Sequence, residues 1–360
     1  MGCNSIVKFG TMREYAMKQL NADYIATGHY ARLWHRNNKE DAILQNSSSP
    51  PPFLEEALEN NPHDDWVYEW GTMKNDNDND NDHDADILPL LLAGADETKD
   101  QSYFLCGVNG RGFSNVLFPL GNLQKNFGAE GTTTKTVREM AQAFPSSISN
   151  KKESMGICFI GKRNFADFIA EYLPNEAIPG DFVDVDTGAI VGKHNGAAYY
   201  TIGQGAKISG ASCKWFTAKK DANGTVFVCN DTHHSSLYSD ELYIKADQFN
   251  WIVGELPRPL REGQEMIASC RVRHLQPLIP CIVSRNDSHV VVKFDRPVRA
   301  IAPGQTAAIY VGGGLVCVGG GQIWMQGPTY HELGRALPSS LHPAGANDLS
   351  VERRMKSESF

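Results

Sequence analysis

The sequence predicts an α/β layer followed by a mostly β second half. Residues 11–22 place apolar side chains at helical spacing, and residues 23–28 then read as a strand that ends in glycine. From Asp181 onward, short β-like runs alternate with turn residues. A helix followed by a strand is typical of an α/β layer, whereas many short strands are typical of a small β domain and a barrel.

Several local patterns refine this prediction. Residues 135–144 have helical spacing, and Ser102–Leu105 reads as a short strand. Gly312–Gly314 suits a hairpin turn, and Gly319–Gly321 suits a close backbone approach near a strand. Neither glycine run matches a phosphate-binding loop.

Charge is unevenly distributed along the 360 residues, whose net charge is −8. Residues 46–98 contain 14 acidic residues and one basic residue, Lys74, whereas the remainder has 28 acidic and 33 basic residues and is mildly basic. A mildly basic body can bind RNA phosphates, although an excess of this size is also ordinary scatter.

The acidic region at about 46–92 reads as an insertion in a surface loop. It includes an alternating Asn/Asp run at 75–82, and such composition buries too little apolar surface to offset chain entropy. We therefore expect most of it to be disordered. Trp66, Tyr68 and Trp70 are candidates for a local docking patch within it.

The eight cysteines are dispersed and form no C-x-x-C pair, which disfavours a zinc knuckle and predicts no metal site. They read as reduced intracellular thiols, mostly buried, with one or two reactive. The chain has no apolar run long enough to span a bilayer, and its first residues do not resemble a signal peptide.

Four clusters carry a family resemblance. They are Cys3–Gly10, Ala22–Arg32, Lys99–Leu105, and Gly156–Gly161 followed by Asn164-Phe165. In this order they resemble the tRNA-specific 2-thiouridylases, also called tRNA-uridine 2-sulfurtransferases. Later stretches agree, among them Tyr200–Gln204 and Pro303–Gln305, so the resemblance runs from Cys3 to about Trp324 apart from the acidic insert.

The resemblance implies a fold of class α/β plus β. Residues 1–165 would be the remnant of a Rossmann-like adenine-nucleotide alpha-hydrolase (PP-loop) domain, with the acidic disordered insert at about 46–92. Residues 166–238 would form a small central β-rich domain that binds tRNA, and residues 239–326 a C-terminal β-barrel. Residues 327–360 have little periodicity and read as a flexible tail.

The resemblance also implies a sulfurtransferase reaction. ATP, with Mg²⁺, would be the co-substrate that adenylates the C2 oxygen of the tRNA wobble uridine. Cys158 would carry the persulfide, and Cys3 would be the second catalytic cysteine and its disulfide partner. Gly28 would contact ATP. The implied partners are tRNA and a sulfur-relay donor protein or cysteine desulfurase, with no membrane.

Five residues align with tRNA contacts of the family: Lys99, Asp100, Gln101, Arg273 and His274. The family often has tyrosine where His274 stands, and a histidine can still hydrogen-bond or stack on RNA. Lys99 and Gln101 also have a plainer interpretation as solvated loop residues.

The two cysteines can also be interpreted from their neighbours. Lys151-Lys152 and Lys162-Arg163 flank Cys158, and an electropositive setting lowers a thiol pKa. The alternative is a buried structural cysteine within Ile157–Ile160. Cys3 alone would be an incidental thiol near a chain end.

The S-G-G-x-D-S loop that wraps ATP phosphates in the family does not occur in the sequence. We therefore expect an N-terminally truncated chain, and an inactive fragment that only binds tRNA is the alternative function. A thiol oxidoreductase or sulfur carrier that uses Cys3 and Cys158 is a third hypothesis. The location implied is mitochondrial for a eukaryotic source, and cytoplasmic otherwise.

Overall fold

The computed structural model describes residues 1–35, 49–71, 87–126, 135–149, 168, 171–172 and 178–341. Within these ranges, no helix combines the length and apolar character needed to cross a bilayer. The described residues form a small parallel α/β layer, a five-stranded sheet and a closed β-barrel that shares its sheet with two strands from the first third of the chain.

The N-terminal layer begins with a wide π-type helix at Cys3–Met12, which continues into α1 at Arg13–Gln19. Strand β1 (Ile25–Ala26) pairs in parallel with β4 (Val116–Leu117). The predicted helix and strand are therefore confirmed, although the strand is shorter than the 23–28 pattern. The α/β layer is small because only these two strands form it among the described residues.

Two strands of the N-terminal region belong to the barrel's sheet instead. Strand β2 (Ala31–Trp34) pairs antiparallel with β3 (Leu90–Ala93), which in turn pairs with the last barrel strand. The side chains of Leu90–Leu92 are buried, as expected of a strand covered on both faces. This hairpin physically joins the α/β layer to the barrel.

The acidic insert is ordered where the structure describes it. Helix α2 (Pro52–Glu59) and a 3₁₀ helix at Pro62–Tyr68 pack on the barrel, and they bury Leu54, Leu58 and Trp66. The prediction of disorder is thus wrong for residues 49–71 and 87–92. Average composition gave the wrong prediction because the apolar residues of this part are spaced to share one face. The Asn/Asp run at 75–82 lies outside the described residues.

The aromatic residues of the insert are used within the chain. Trp66 and Trp70 are buried and meet edge to face, with ring centroids 5.7 Å apart. The Trp70 indole N–H donates to the carbonyl of Glu255, 3.2 Å away, and Tyr68 packs against the same core. The proposed docking patch is therefore an internal contact of the insert with the barrel.

The middle sheet contains five strands. They are β5 (Gly180–Asp184), β6 (Ile190–His194), β7 (Gly205–Ala206), β8 (Trp215–Lys220) and β9 (Val226–Cys229), in the spatial order β6-β5-β9-β8-β7. Phe182, Val226 and Val228 are fully buried and form its small core. A 3₁₀ turn at Ala197–Tyr199 precedes β7.

The C-terminal barrel has six strands. They are β10 (Tyr238–Trp251), β11 (Met266–Arg271), β12 (Ile279–Arg285), β13 (His289–Arg299), β14 (Thr306–Val311) and β15 (Val316–Gln326). The barrel is closed because β10 pairs with both β13 and β15. The predicted C-terminal barrel is confirmed, and closure removes the exposed strand edges that an open sheet would leave.

Both glycine predictions in the barrel are confirmed. Gly312, Gly313 and Gly314 all have positive φ and form the hairpin turn between β14 and β15. Gly319 has φ +155°, and a Cβ at this position would collide with the carbonyl oxygen of Asn250 on β10. Glycine therefore permits the close approach of β10 and β15 that closes the barrel.

The remaining elements are short. They are α3 (Ser102–Leu105), α4 (Val137–Ala141), α5 (Ser146–Ser149) and α6 (Arg258–Arg261), with 3₁₀ turns at Gly110–Phe113, Ser235–Leu237 and Ser339–Leu341. Ser102–Leu105 was predicted to be a strand and is a helix, because Asp100 accepts from the N–H of Ser102 and starts the turn. The helix predicted at 135–144 is confirmed in α4, with a capping box between Thr136 and Glu139.

The predicted tail at 327–360 is only partly described. Within 327–341, Tyr330 donates from its N–H to the carbonyl of Tyr238, 2.9 Å away, and Glu332 pairs with Lys219 at 3.0 Å. The expectation of a flexible tail is thus wrong for this part, which packs between the barrel and the middle sheet. Residues 342–360 lie outside the described ranges.

Candidate functional site

Gly28 follows β1 at the carboxyl edge of the parallel pair, where α/β folds bind their ligands. Only the Cδ1 of Leu120, at 3.7 Å, would lie within contact of a Cβ placed on Gly28. The neighbouring His29 is buried and hydrogen-bonds through Nδ1 to the Thr27 hydroxyl at 2.7 Å. Burial, aided by the charge of Lys8, lowers the pKa of His29 to about 4, so the ring is neutral at pH 7.

Cys3 opens the N-terminal helix and is half-buried. The next residue, Asn4, donates from its side-chain amide to the carbonyl of Phe104, 2.9 Å away. Farther along the helix, Phe9 packs against His29, with ring centroids 5.7 Å apart. The helix therefore bridges the Gly28 edge and α3, and Cys3 lies at the end of the helix that contacts α3.

The other described cysteines separate into two classes. Burial raises the pKa of the Cys106 and Cys281 thiols to about 12 and that of Cys229 to about 11. Burial also raises the pKa values of Cys270 and Cys317 well above the ordinary thiol range. These thiols stay protonated and inert at neutral pH, whereas Cys3 and the exposed Cys213 are accessible. Cys158 lies outside the described residues.

The segment Lys99–Gln101 is held by its central aspartate. Asp100 is 2% exposed, and its Oδ1 accepts from the N–H groups of Gly94 and Ser102, both at 3.0 Å. Its Oδ2 accepts from the Ser102 hydroxyl at 2.8 Å. Gln101 exchanges hydrogen bonds with the backbone of Tyr30, which ties the segment to the Gly28 loop.

Arg271 is the site residue that the sequence did not single out. It is buried at the end of β11, and its Nη1 lies 3.0 Å from the Asp100 Oδ2. Its guanidinium also lies over the Tyr310 ring, 5.6 Å from the centroid. The sequence offered one indication of this role, because Arg271 lies in Cys270–His274, where arginines alternate at the end of a strand.

Arg273 and His274 reach the same place from the barrel. Arg273 donates from Nη2 to the carbonyls of Ile202 and Ala300, at 3.0 and 2.9 Å, and so joins the middle sheet to the barrel. The Nε2 of His274 lies 3.2 Å from the Asp100 carbonyl, and its ring contacts that of Phe104, with centroids 4.3 Å apart and planes tilted by 37°. Burial lowers the pKa of His274, which favours the neutral ring.

The structure thus brings together three of the sequence-predicted segments around Phe104. Its carbonyl accepts from the helix of Cys3, and its ring contacts His274, which touches the Lys99–Gln101 segment. The Asp100 carboxylate faces inward, so its oxygens are used within the chain. Among the described residues, no group of three or more His, Cys, Asp or Glu side chains is arranged to hold a metal ion.

Comparison with known families matches three consecutive domain profiles. Residues 1–50 and 77–162 match the tRNA methyl transferase HUP domain, and residues 166–230 match the tRNA methyl transferase PRC-barrel domain. Residues 240–323 match the aminomethyltransferase beta-barrel domain. The first profile passes over residues 51–76, the stretch that contains α2 and its 3₁₀ helix.

The chain is also similar to curated proteins over most of its length. The mitochondrial tRNA-specific 2-thiouridylase 1 of Danio rerio is 36% identical over 336 residues, which cover 92% of this chain and 70% of the relative. Its human counterpart is 35% identical, with the same coverage of both chains. The tRNA-specific 2-thiouridylase MnmA of Protochlamydia amoebophila is 34% identical over 352 residues, which cover 96% of this chain and 73% of the relative.

Proposed function

The chain belongs to the tRNA-specific 2-thiouridylase family, and from this premise we propose that it thiolates C2 of the wobble uridine of tRNA. The observation that carries the proposal is the contact of His274 with Asp100 beside the helix of Cys3. Segments about 170 residues apart in sequence meet there. Sulfur transfer to a tRNA base requires a thiol close to groups that bind RNA, so this arrangement supports the proposal.

The first chemical step we propose is adenylation of the uridine. ATP, with Mg²⁺, would transfer AMP to the C2 oxygen, release pyrophosphate and turn that oxygen into a leaving group. Gly28 supports this step because it stands at the carboxyl edge of the parallel strands, where only the Leu120 side chain would contact an added Cβ. The neutral His29 beside it adds no positive charge to the edge.

The second step is sulfur transfer by the two cysteines. The terminal sulfur of a Cys158 persulfide attacks C2 and expels AMP. The Cys3 thiolate then attacks the Cys158 Sγ, which breaks the S–S bond, leaves a thiocarbonyl on the uridine and forms a Cys3–Cys158 disulfide. The accessibility of Cys3 supports its role, while that of Cys158 rests on the family resemblance.

We propose different roles for the five tRNA-aligned residues. Lys99, Gln101 and His274 would face the RNA, with His274 offering a stacking surface beside Phe104. Arg273 would act where the middle sheet meets the barrel. Asp100 would position Lys99 and Gln101, because its carboxylate is held by Gly94, Ser102 and Arg271.

The persulfide has to be supplied, so we propose a sulfur-relay protein or a cysteine desulfurase as the second partner. The eukaryotic relatives named above are mitochondrial, and MnmA is bacterial. We accordingly propose a mitochondrial location for a eukaryotic source and a cytoplasmic one for a bacterial source.

The test is a thiolation assay with the full chain, an unmodified tRNA transcript, Mg-ATP and a persulfide donor. We expect 2-thiouridine, detected by nucleoside mass spectrometry, only when ATP is present. Cys3→Ser and Cys158→Ser should each abolish the product, whereas Cys213→Ser, at an exposed cysteine, should retain full activity.

Two outcomes would replace the proposal. Binding of tRNA without thiolation under all conditions would favour the alternative, a chain that only binds tRNA. Thiol exchange by Cys3 and Cys158 that ignores both ATP and tRNA would favour a thiol oxidoreductase or sulfur carrier.

A further inference from the structure

A stacked aromatic and basic cluster lies on the outer wall of the barrel, where β10, β13 and β15 meet. We call Tyr243, Lys245, His289 and Trp324 the seam patch. The rings of His289 and Trp324 are stacked, with centroids 4.8 Å apart and planes at 20°. The Lys245 Nζ lies 5.9 Å from the Trp324 centroid, and Trp324 is 45% exposed. None of these residues takes part in the site described above.

The barrel holds this cluster in place by its strand register. Lys245 is paired with His289 across β10 and β13, and Tyr243 is paired with Met325 across β10 and β15. Ile244 and Ile323 alternate with the patch residues and point into the core, where both are buried. The aromatic rings are therefore ordered before any ligand arrives, which reduces the entropy lost on binding.

The charge of the patch favours an anionic partner. The nearby Glu241 carboxylate accepts from the Tyr243 hydroxyl and lies 3.8 Å from the Lys293 Nζ. Among the described residues, no ion pair joins Lys245 to a carboxylate. The ammonium of Lys245 thus lies beside an exposed indole, while the nearby Glu241 carboxylate is paired with Lys293.

The patch is linked to the proposed tRNA-contacting residues by contacts within the protein. Gln322, two residues before Trp324 on the same outer face, donates to the Gly304 carbonyl at 3.3 Å. The adjoining Ala302 packs with Ile202 and Ala300, and the carbonyls of those two residues accept from Arg273. A series of contacts that is buried at Ile202, Ala300 and Ala302 therefore links Arg273 to the barrel loop beside Gln322.

We infer that the seam patch binds the RNA chain of the tRNA substrate, with an unpaired base or ribose against Trp324 and a phosphate beside Lys245. The inference rests on the proposed function and extends its RNA surface onto the barrel wall. An aromatic platform flanked by a cation is the usual means of holding single-stranded RNA without reading its sequence. Base stacking supplies affinity, and phosphate neutralisation adds a salt-dependent contribution.

The test measures the Kd of the full chain for a tRNA transcript at fixed salt. Trp324→Ala should raise the Kd by about 5- to 100-fold, the loss of one stacked base, whereas Trp324→Phe should retain most of the affinity. Lys245→Gln should lower the slope of log Kd against log salt by about 0.7 to 0.9. Ile267→Ala is the matched control, because Ile267 is an exposed apolar residue on β11, across the barrel from β10.

The outcomes separate this inference from the proposed function. If Trp324→Ala binds tRNA as tightly as the unchanged chain while Arg273→Ala binds weakly, the seam patch is not an RNA site and the proposed function stands. If Trp324→Ala weakens capture of the sulfur donor and leaves the tRNA Kd unchanged, the patch docks a protein and the inference is overturned. If the unchanged chain does not bind tRNA, both fail together.

Discussion

Two buried aspartates each fasten an N-terminal segment to the barrel, but their carboxylates differ in how many of their oxygens have a partner. Asp100 fastens the segment that carries the tRNA-aligned residues, and Asp64 fastens the insert that the HUP-domain profile passes over. Both side chains are almost fully buried. Only Asp100 has a buried cationic partner, whereas Asp64 has the half-exposed His63, with Nε2 at 3.6 Å.

Asp100 is also more fully hydrogen-bonded than Asp64. Both Asp100 oxygens accept, from Gly94, Ser102 and Arg271. Asp64 accepts through Oδ2 from the N–H of Gly312 at 2.7 Å, while its buried Oδ1 has no partner among the described residues. The comparison indicates that the Asp100 junction is built for a fixed geometry. The insert is held mainly by apolar burial, with an imperfect polar contact beneath it.

Removal of Arg271 should have the largest effect. Arg271→Met leaves the Asp100 carboxylate buried and uncompensated, which typically costs about 3–5 kcal/mol of unfolding free energy. The same change should weaken tRNA binding, because Asp100 positions Lys99 and Gln101. Denaturant unfolding and a tRNA-binding titration measure the two effects.

The matched control for this change is Arg258→Met, which removes the guanidinium of an exposed ion pair with Asp65 and should cost less than about 1 kcal/mol. The double variant Asp100→Asn/Arg271→Met should recover part of the loss, because no buried charge is then unpaired. Equal losses in Arg271→Met and Arg258→Met would break the comparison.

Truncation of Trp66 should lower the unfolding free energy about as much as Arg271→Met does. It should leave tRNA binding unchanged. Trp66→Ala opens a cavity under the insert and should cost about 3–5 kcal/mol. Because Trp66 is remote in contacts from Asp100, the tRNA Kd measured well below the melting temperature should be unchanged. Trp66→Phe should lose less stability. A weakened Kd in Trp66→Ala would show that the insert also shapes the RNA site.

The smallest effect is expected from Asp64→Asn, and it should depend on pH. Burial raises the pKa of Asp64, although the Gly312 N–H opposes this. A carboxyl group with a raised folded-state pKa destabilises the native state once it ionises, so the native state loses stability as pH rises through that pKa. The amide that replaces the carboxyl group in this variant is neutral and retains an acceptor oxygen.

Unfolding free energies measured across pH should therefore show the variant at least as stable as the unchanged chain near pH 7. The two curves should converge as the pH falls below the ordinary carboxyl range. A variant that is less stable at neutral pH, with the gap closing toward acid, would mean that ionised Asp64 stabilises the insert.

The sequence allowed the barrel, its glycine turns and the N-terminal helix to be predicted, because each depends on local periodicity or on a backbone constraint. It did not predict α2, since Leu58 on the apolar face of this helix packs beside Gly312, about 250 positions later. It placed Lys99–Gln101 and Arg273–His274 by resemblance, but not the inward orientation of Asp100. That orientation depends on Arg271, whose charge alone does not distinguish a buried partner from a solvated one.

The pairing of β3 with β15 has a consequence for synthesis. Leu91 and Leu92 pair with Cys317 and Val316, so the hairpin of β2 and β3 lacks its neighbour until more than 220 further residues have been translated. At about 5–20 residues per second, that interval lasts roughly 11 to 45 seconds. Throughout it, an apolar strand edge leaves the ribosome uncovered, and this nascent chain is one that chaperones should engage.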